Sequence, residues 1–331
     1  MMSGLLKAQL LEIGTVKISG KKPADGGGQS HAGPGAGKSG SVFFSDGKSR
    51  VRLSLDDNSP VEIHNFGDKC DGVFRAELIF EKNSVPGYIE PPGWHCPKQA
   101  YITVSEGCIF RCRFCNVPMQ ENRIKSSDEI ENMIESVRDK IECISLTSGV
   151  IGSPEEDEKR VIEVVKRIMR FNLPVGVSIY PVAGTPERLH DLGVCEVKFN
   201  LETATAELFK KICPRGSAGP DRELLCDALL RSVKLFGKNR VFSNIILGLG
   251  ETNLEMKDCI TSLCEKNIIP VIRPLEPSGE LMDYKRPSAE RILLISEFLK
   301  AELLKNGLDT TKALTMCTKC TGCDLVPGRD L

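Results

Sequence analysis

The sequence predicts an α/β protein: a partial barrel of six β/α repeats, a β-rich region ahead of it and a cysteine-bearing tail behind. Two observations carry this. From Tyr101 to Lys305, short apolar runs alternate six times with segments of helical periodicity. Each helical crossover returns the chain to begin another parallel strand, so six repeats give a parallel sheet two repeats short of a closed (β/α)8 barrel. Before residue 95 the apolar runs are short and strand-like, with no helical crossovers between them. Three segments follow: 1–95, with a Gly-rich loop at 26–40; 96–306, the repeat region; and 307–331, the tail.

In the first segment, Gly14 to Ile18, Ser41 to Phe44, Val51 to Leu55 and Val61 to Ile63 read as short strands. Pro86-Gly87 and Pro91-Pro92-Gly93 read as punctuation before the repeats. The six strands are expected at Tyr101–Val104, Cys143–Leu146, Val175–Ile179, Val197–Leu201, Val241–Leu247 and Ile268–Ile272. Helix starts are marked chemically. Ser126 and Glu129 form a capping box ahead of Ile130, Met133, Ile134 and Val137. Ser153-Pro154-Glu155-Glu156 combines an N-cap, a proline at the first turn and a capping glutamate. Further helices are expected near Pro186–Leu192, Asp221–Leu235, Asn253–Lys266 and Ser288–Lys305. In such a barrel the reactive groups belong at the C-terminal ends of the strands.

Composition narrows the function classes. A net charge of −1 supplies no global field for nucleic acid. No apolar run approaches the ~20 residues that span a bilayer, and Met1 to Lys7 lacks the apolar core of a secretory signal. The expectation is a cytoplasmic protein that binds neither membrane nor nucleic acid. Fourteen cysteines in such a chain point to metal binding or catalysis before disulfides. Cys143, Cys195, Cys226, Cys259 and Cys264 fall within apolar stretches, where cysteine acts as a small hydrophobe. Two triplets do not.

The first triplet is Cys108, Cys112 and Cys115, directly after the first strand. A C-x3-C-x2-C loop closes three soft thiolates on one face of an iron–sulfur cubane and leaves its fourth iron without a protein ligand. Structural zinc wants four ligands, and no fourth Cys or His follows at short range. The second triplet, Cys317, Cys320 and Cys323, has the C-x2-C-x2-C spacing that ferredoxins use. It reads as an auxiliary [4Fe–4S] site, with zinc or free thiols as alternatives. Its fourth ligand is open among Cys96, Cys70 and a non-cysteine residue. Ala32 to Ser39 mimics a phosphate-binding loop, but Ala32 stands where that motif needs glycine, and a strand rather than a helix follows.

The Cys108 loop and its setting resemble the radical SAM (S-adenosylmethionine) superfamily over roughly residues 100–285. That resemblance implies an enzyme whose [4Fe–4S] cluster, through its open iron, binds the amino and carboxylate groups of SAM. One electron, from reduced ferredoxin or flavodoxin, then cleaves the S–C5′ bond to give a 5′-deoxyadenosyl radical that abstracts hydrogen from substrate. It also implies roles for residues. Phe114 matches the aromatic residue that lies against the adenine. Thr147, Ser148 and Gly149 stand where the family has Gly-Gly-Glu for the SAM amino group; the glutamate is absent, so hydroxyl or backbone groups must make that contact. Asn200 and Glu202 match ribose-binding positions, although Glu202 also reads as an exposed strand-end charge. The stretch Asn244 to Glu251 resembles the adenine-backing motif, with Ile246, Gly248 and Glu251 as cofactor contacts and Asn244 in place of its first glycine. Arg273, at the end of strand six, is placed to bind a carboxylate or SAM, or to pair with Glu276.

Within the superfamily, the Ile246–Glu251 and Arg273 segments look most like the biotin synthase branch. Combined with the second triplet, they are similar to the archaeal two-component lipoyl synthases. That likeness implies sulfur insertion into an octanoyl-lysine on a lipoyl carrier protein, with the tail cluster as sulfur donor and a second radical SAM protein as partner. The rival expectation is another biotin-synthase-like biosynthetic step whose second cluster relays electrons or anchors substrate. A tRNA-modifying enzyme is disfavoured by the charge, and a non-catalytic iron–sulfur electron carrier by the Cys108 loop before the repeats.

Overall fold

Six short strands close on themselves ahead of the parallel sheet. They are β1 (Thr15–Gly20), β2 (Ser41–Ser45), β3 (Arg50–Leu55), β4 (Glu62–Cys70), β5 (Val73–Phe80) and β6 (Asn83–Glu90). The computed structural model describes residues 1–20, 40–70, 73–90, 96, 98–119, 121–214 and 219–331. The Gly-rich stretch before Gly40, the sequence Ala32–Ser39 and Pro91-Pro92-Gly93 lie outside these residues, as does the side chain of Cys70. The barrel order is β1-β3-β2-β6-β5-β4. β1 joins its two neighbours in parallel, whereas the other pairs are antiparallel. Val16, Val42, Phe44, Val51, Leu53, Ile63, Leu78 and Ile89 fill its interior. Pro86-Gly87, expected to end the region, instead lies within β6, with Pro86 opposite Glu77 of β5. A proline lacks the N–H for one ladder bond, which a strand tolerates where a single bond is dispensable.

Ahead of the barrel, Gly4–Ile13 forms helix α1, capped by Ser3, whose side chain accepts from Leu6 N. It was not expected, because its apolar residues run nearly all round the helix rather than along one stripe.

The second unit is a six-stranded, all-parallel sheet in the order β12-β11-β10-β9-β8-β7. Its strands are β7 (Gln99–Thr103), β8 (Cys143–Thr147), β9 (Val175–Ser178), β10 (Glu196–Lys198), β11 (Val241–Leu247) and β12 (Ile269–Pro274). The helices between them are α2 (Ser127–Glu135), α3 (Pro154–Ile168), α4 (Thr185–Asp191), α5 (Ala206–Ile212), α6 (Arg222–Phe236) and α7 (Asn253–Glu265), and α8 (Ala289–Lys305) follows β12. Ser126, Ser153, Thr205, Asp221, Thr252 and Ser288 cap their helices by side-chain hydrogen bonds. α5 was not expected. No described helix is long and apolar enough to cross a membrane.

A parallel sheet covered on both faces is ordinarily apolar on both. Here one face carries Ile102, Ile144, Leu146, Val175, Val177, Val197 and Ile245 against the helices. The other carries Gln99 and Tyr101, Ser145 and Thr147, Gly176 and Ser178, Glu196 and Lys198, Asn244 and Arg273. Residues 310–323 occupy part of that polar face. Arg240 donates to Lys312 O at 2.7 Å, and buried Glu196 receives Leu314 N, Thr315 N and Thr315 Oγ1, each at 2.8 Å. Gln99 donates to Thr315 O. Gly176 is bare for a steric reason: a Cβ there would meet Thr315 Oγ1 at 1.9 Å.

Candidate active site

The loop bearing Cys108, Cys112 and Cys115 leaves the end of β7 and is held by the loops that follow other strands. Ile109 N donates to Val150 O at 2.7 Å and Arg113 N to Ile212 O at 2.9 Å. Ser278 Oγ donates to Phe114 O at 2.8 Å, and Glu280 N to Arg113 O at 3.1 Å. Gly149 permits the closest of these approaches, because a Cβ there would meet Gly107 O at 2.0 Å. Ser148 accepts from Ser105 N at 3.1 Å. Ser105 in turn bonds buried Asp157. Ser148 therefore braces the loop from below.

All three thiols face one cavity of about 450 Å³ at the strands' C-terminal ends. Burial raises the Cys108 thiol above the ordinary range and pushes Cys115 up to about 12. Cys112 is raised by its hydrogen bond with Cys213 and by burial. A ligand taking these sulfurs as thiolates must therefore displace their protons. Among the described residues no three Cys, His, Asp or Glu side chains converge on the position of one metal ion. A cubane, which spreads its thiolates around a larger body, suits a wide loop of three soft donors.

Of the other expected residues, Phe114, Thr147, Ser148, Gly149, Asn200, Glu202, Ile246 and Arg273 line the same cavity. Gly248 and Glu251 lie outside its lining. Glu251 turns back on its own loop, accepting from Gly248 N at 2.7 Å and Leu249 N at 2.9 Å, and pairs with Arg291 of α8 at 2.8 Å. It shapes the strand end and does not face the cavity. Glu202 is half-buried at the cavity wall, not an exposed charge. Its backbone is left-handed, at φ 61°, a strained conformation for a residue with a side chain. Two bonds to β11 hold it there: Glu202 N to Asn244 O and Ile246 N to Glu202 O, both 2.8 Å. Burial raises its carboxyl to about 7, against the opposing pull of Lys198 and Arg273. Arg273 does not pair with Glu276, whose partner is Arg52 of β3. The Arg273 guanidinium is buried with Nε unsatisfied. Burial opposes its charge, but Cys317, Cys323 and Asp324 outweigh that and raise its pKa.

The second triplet reaches the same cavity from the far side. Cys323 is part of its lining, together with Tyr101 of β7, Lys198 of β10 and Arg52 of β3. Lys198 Nζ lies 3.1 Å from Cys317 Sγ, and Arg50 Nη1 lies 3.0 Å from Cys320 Sγ. Burial opposes ionisation of Cys317, yet Lys198 and Arg273 hold its thiol below the ordinary value. A pocket of thiols ringed by Arg50, Arg52, Lys198 and Arg273 suits an anionic, thiolate-bound group. Of the isolated cysteines, Cys143, Cys259 and Cys264 are buried and Cys195 and Cys226 half-buried.

A family model described as the radical SAM superfamily matches residues 102–263, from β7 into α7.

Over those residues the chain is similar to the radical SAM superfamily.

Its curated relatives include a lipoyl synthase of Corynebacterium diphtheriae, 30% identical over 193 residues, which are 56% of this chain and 53% of that protein. A lipoyl synthase of Flavobacterium psychrophilum is 28% identical over 244 residues, 70% of this chain and 78% of that one. The chain thus spans about half the length of the first relative, at 53%. Among solved structures, the FeFe-hydrogenase maturase HydG from Carboxydothermus hydrogenoformans superposes with a TM-score of 0.52 at 17% identity, covering 62% of this chain and 51% of that one. Streptococcus suis SuiB bound to S-adenosylmethionine gives 0.51 at 12% identity, covering 63% and 48%. These two likenesses concern the fold alone.

Cavity residues that escaped the sequence reading include Arg52, Tyr101, Lys198 and Cys213. Glu196-Val197-Lys198-Phe199-Asn200 did carry a signal, since charged and polar residues at every second position inside an otherwise apolar strand mark a face turned to something polar.

Proposed function

We propose that the chain is a radical SAM enzyme of the lipoyl synthase type, inserting sulfur into an octanoyl-lysine carried on a protein. The single observation that supports it is the shared cavity: Cys108, Cys112 and Cys115 face one side, and Cys323 faces the other. In this reading the six-stranded sheet is an incomplete barrel. Its edge strands β7 and β12 curl toward one another through Tyr101 and Arg273, and residues 1–95, 96–306 and 307–331 act as barrel, catalytic core and cluster tail.

Cys108, Cys112 and Cys115 hold three irons of a [4Fe–4S] cluster, which with SAM and one electron supplies a 5′-deoxyadenosyl radical. The remaining lining positions the nucleoside. Phe114 offers a face for the adenine, Asn200 and Glu202 offer acceptors for the ribose hydroxyls, and Thr147 offers a hydroxyl for the amino group. Arg273 offers a fixed cation for a carboxylate. Cys317, Cys320 and Cys323 would hold a second cluster, and Cys323 is the member of that triplet that lines the cavity. An unactivated carbon radical has nothing polar to attack, so a sulfide within reach in the same cavity is a suitable trap. Partners in this reading are reduced ferredoxin or flavodoxin, a lipoyl carrier protein and a second radical SAM protein, because lipoyl formation needs two insertions.

The test is the mass of an octanoylated carrier peptide after anaerobic incubation with reconstituted protein, SAM and reductant. One added sulfur atom, carrying sulfur-34 when the clusters are built with it, is expected. Catalytic turnover without label transfer would assign the second cluster to electron relay or substrate anchoring instead.

A further inference from the structure

Three thiolates leave one iron of a cubane without a ligand, and the second triplet offers three. We infer that Cys96 supplies the fourth, closing the Cys317, Cys320 and Cys323 site into an all-thiolate cluster. This rests on the proposal that the second triplet binds a cubane.

Cys96 is buried, at 5% exposure, and packs with Cys320 and Phe43 of β2 in a small cluster separate from the main core. Its thiol is hydrogen-bonded to that of Cys320. Two contacts fix its backbone relative to the tail. Gln99 N donates to Cys96 O at 3.2 Å, and the Gln99 side chain donates to Thr315 O, two residues before Cys317. The thiol therefore does not meet the triplet by a chance side-chain rotation; the turn entering β7 and the tail are tied together at this point.

The charges agree with a closed anionic cluster. Arg50 sits beside both Cys96 and Cys320, 3.0 Å from the latter's sulfur, stacked 4.5 Å over the Phe43 ring and anchored by Glu90. Lys198 serves Cys317, and Arg52 and Arg273 serve Cys323. Each sulfur thus has a cation supplied from β3, β10 or β12. Other nearby groups that could ligate iron are Cys143 and Asp324. Cys143 is met by Lys319 Nζ at 3.5 Å. Asp324 lies among Arg273, Lys7 and Asp330.

The test uses the full chain with Cys108, Cys112 and Cys115 replaced by Ala, so that remaining iron reports the second site alone. That background should hold about four irons per chain. Without iron there, the cluster reading itself falls. In the same background, Cys96→Ala should lower iron to about three or fewer and give the paramagnetic signal of an oxidised three-iron cluster by EPR. Cys96→Ser, which keeps an oxygen ligand, should retain about four irons with an altered Mössbauer spectrum and a shifted reduction potential. Cys143→Ala and Asp324→Asn should leave iron and spectra unchanged. Four irons and an unaltered spectrum in both Cys96 variants would overturn the assignment while leaving the cluster, and the same loss in Cys143→Ala or Asp324→Asn would move the fourth ligand there.

Discussion

Lys7 of α1 and Asp330 form an ion pair of 2.7 Å in which both side chains are 1% exposed. Lys7 Nζ also donates to Thr321 O at 2.6 Å, between Cys320 and Cys323, while Asp330 accepts from Val326 N at 2.8 Å and from Ser49. One lysine therefore locks the tail against the opening helix at the cysteines themselves. Removing one partner strands a buried charge, so Lys7→Ala or Asp330→Ala should lower stability by about 3–5 kcal/mol in denaturant titrations. The double variant should lose less than the sum. Both single variants should also lose iron from the second site before the first.

Gly176 makes an independent handle on the tail. Gly176→Val places carbon where Thr315 Oγ1 sits, at 1.9 Å from an ideal Cβ, and should displace Thr315 and Met316 from the sheet. The expected result is iron reduced to about half, with 5′-deoxyadenosine formation persisting by chromatography. A variant with full iron would mean that the tail is not seated through β9.

Glu202 predicts a pH dependence. Its carboxyl is raised from 4.5 to about 7 by burial, so the folded chain binds its proton more tightly than the unfolded chain. The sign follows: stability from this group is fully present below pH 4.5, falls as pH rises, and levels off above about 7. The loss is on the order of 3 kcal/mol. In iron-free protein, the stability gain of Glu202→Gln over wild type should therefore widen between pH 5 and pH 7.5, read by urea titration. The same variant should weaken SAM binding by loss of a ribose acceptor.

Cys213 lies hydrogen-bonded to Cys112 and lines the cavity, yet it follows α5 rather than belonging to the Cys108 loop. Cys213→Ala should keep the first cluster and SAM cleavage within a few-fold of wild type, whereas Cys108→Ala, Cys112→Ala or Cys115→Ala should abolish 5′-deoxyadenosine. Equal loss in all four variants would make Cys213 a fourth ligand and remove the open iron.

Much of the core was legible because helix caps and strand periodicity are local. Ser126, Ser153, Asp221 and Ser288 begin their helices as their chemistry dictates. The N-terminal barrel was half legible: β5 and β6 were missed because Pro86-Gly87 reads as a turn when its partner strand is unknown. In the site, the Cys108 loop is a local pattern and was readable. The partners of Glu251 were not legible, because whether a strand-end carboxylate faces a cavity or its own loop depends on Arg291 of α8, far along the chain. The partners of Lys198 and Arg52 were invisible for a related reason, although the alternation around Lys198 marked a polar face. Their role exists only once the tail lies across the sheet, and no spacing in the sequence records that placement.

That placement has a consequence for how the molecule is made. A ribosome delivers β2, β3 and the Cys108 loop long before Cys317 to Cys323, and segments emerging first begin to fold first. Until the tail arrives, the polar face of the sheet, with Glu196, Lys198 and Arg273 on it, is left open to water. The first metal site can thus be complete on a nascent chain, whereas the second comes into being only when residues 310–323 slot between two finished walls. A chain cut short ahead of Cys317 would therefore carry the Cys108 loop and leave the polar face of the sheet unfilled.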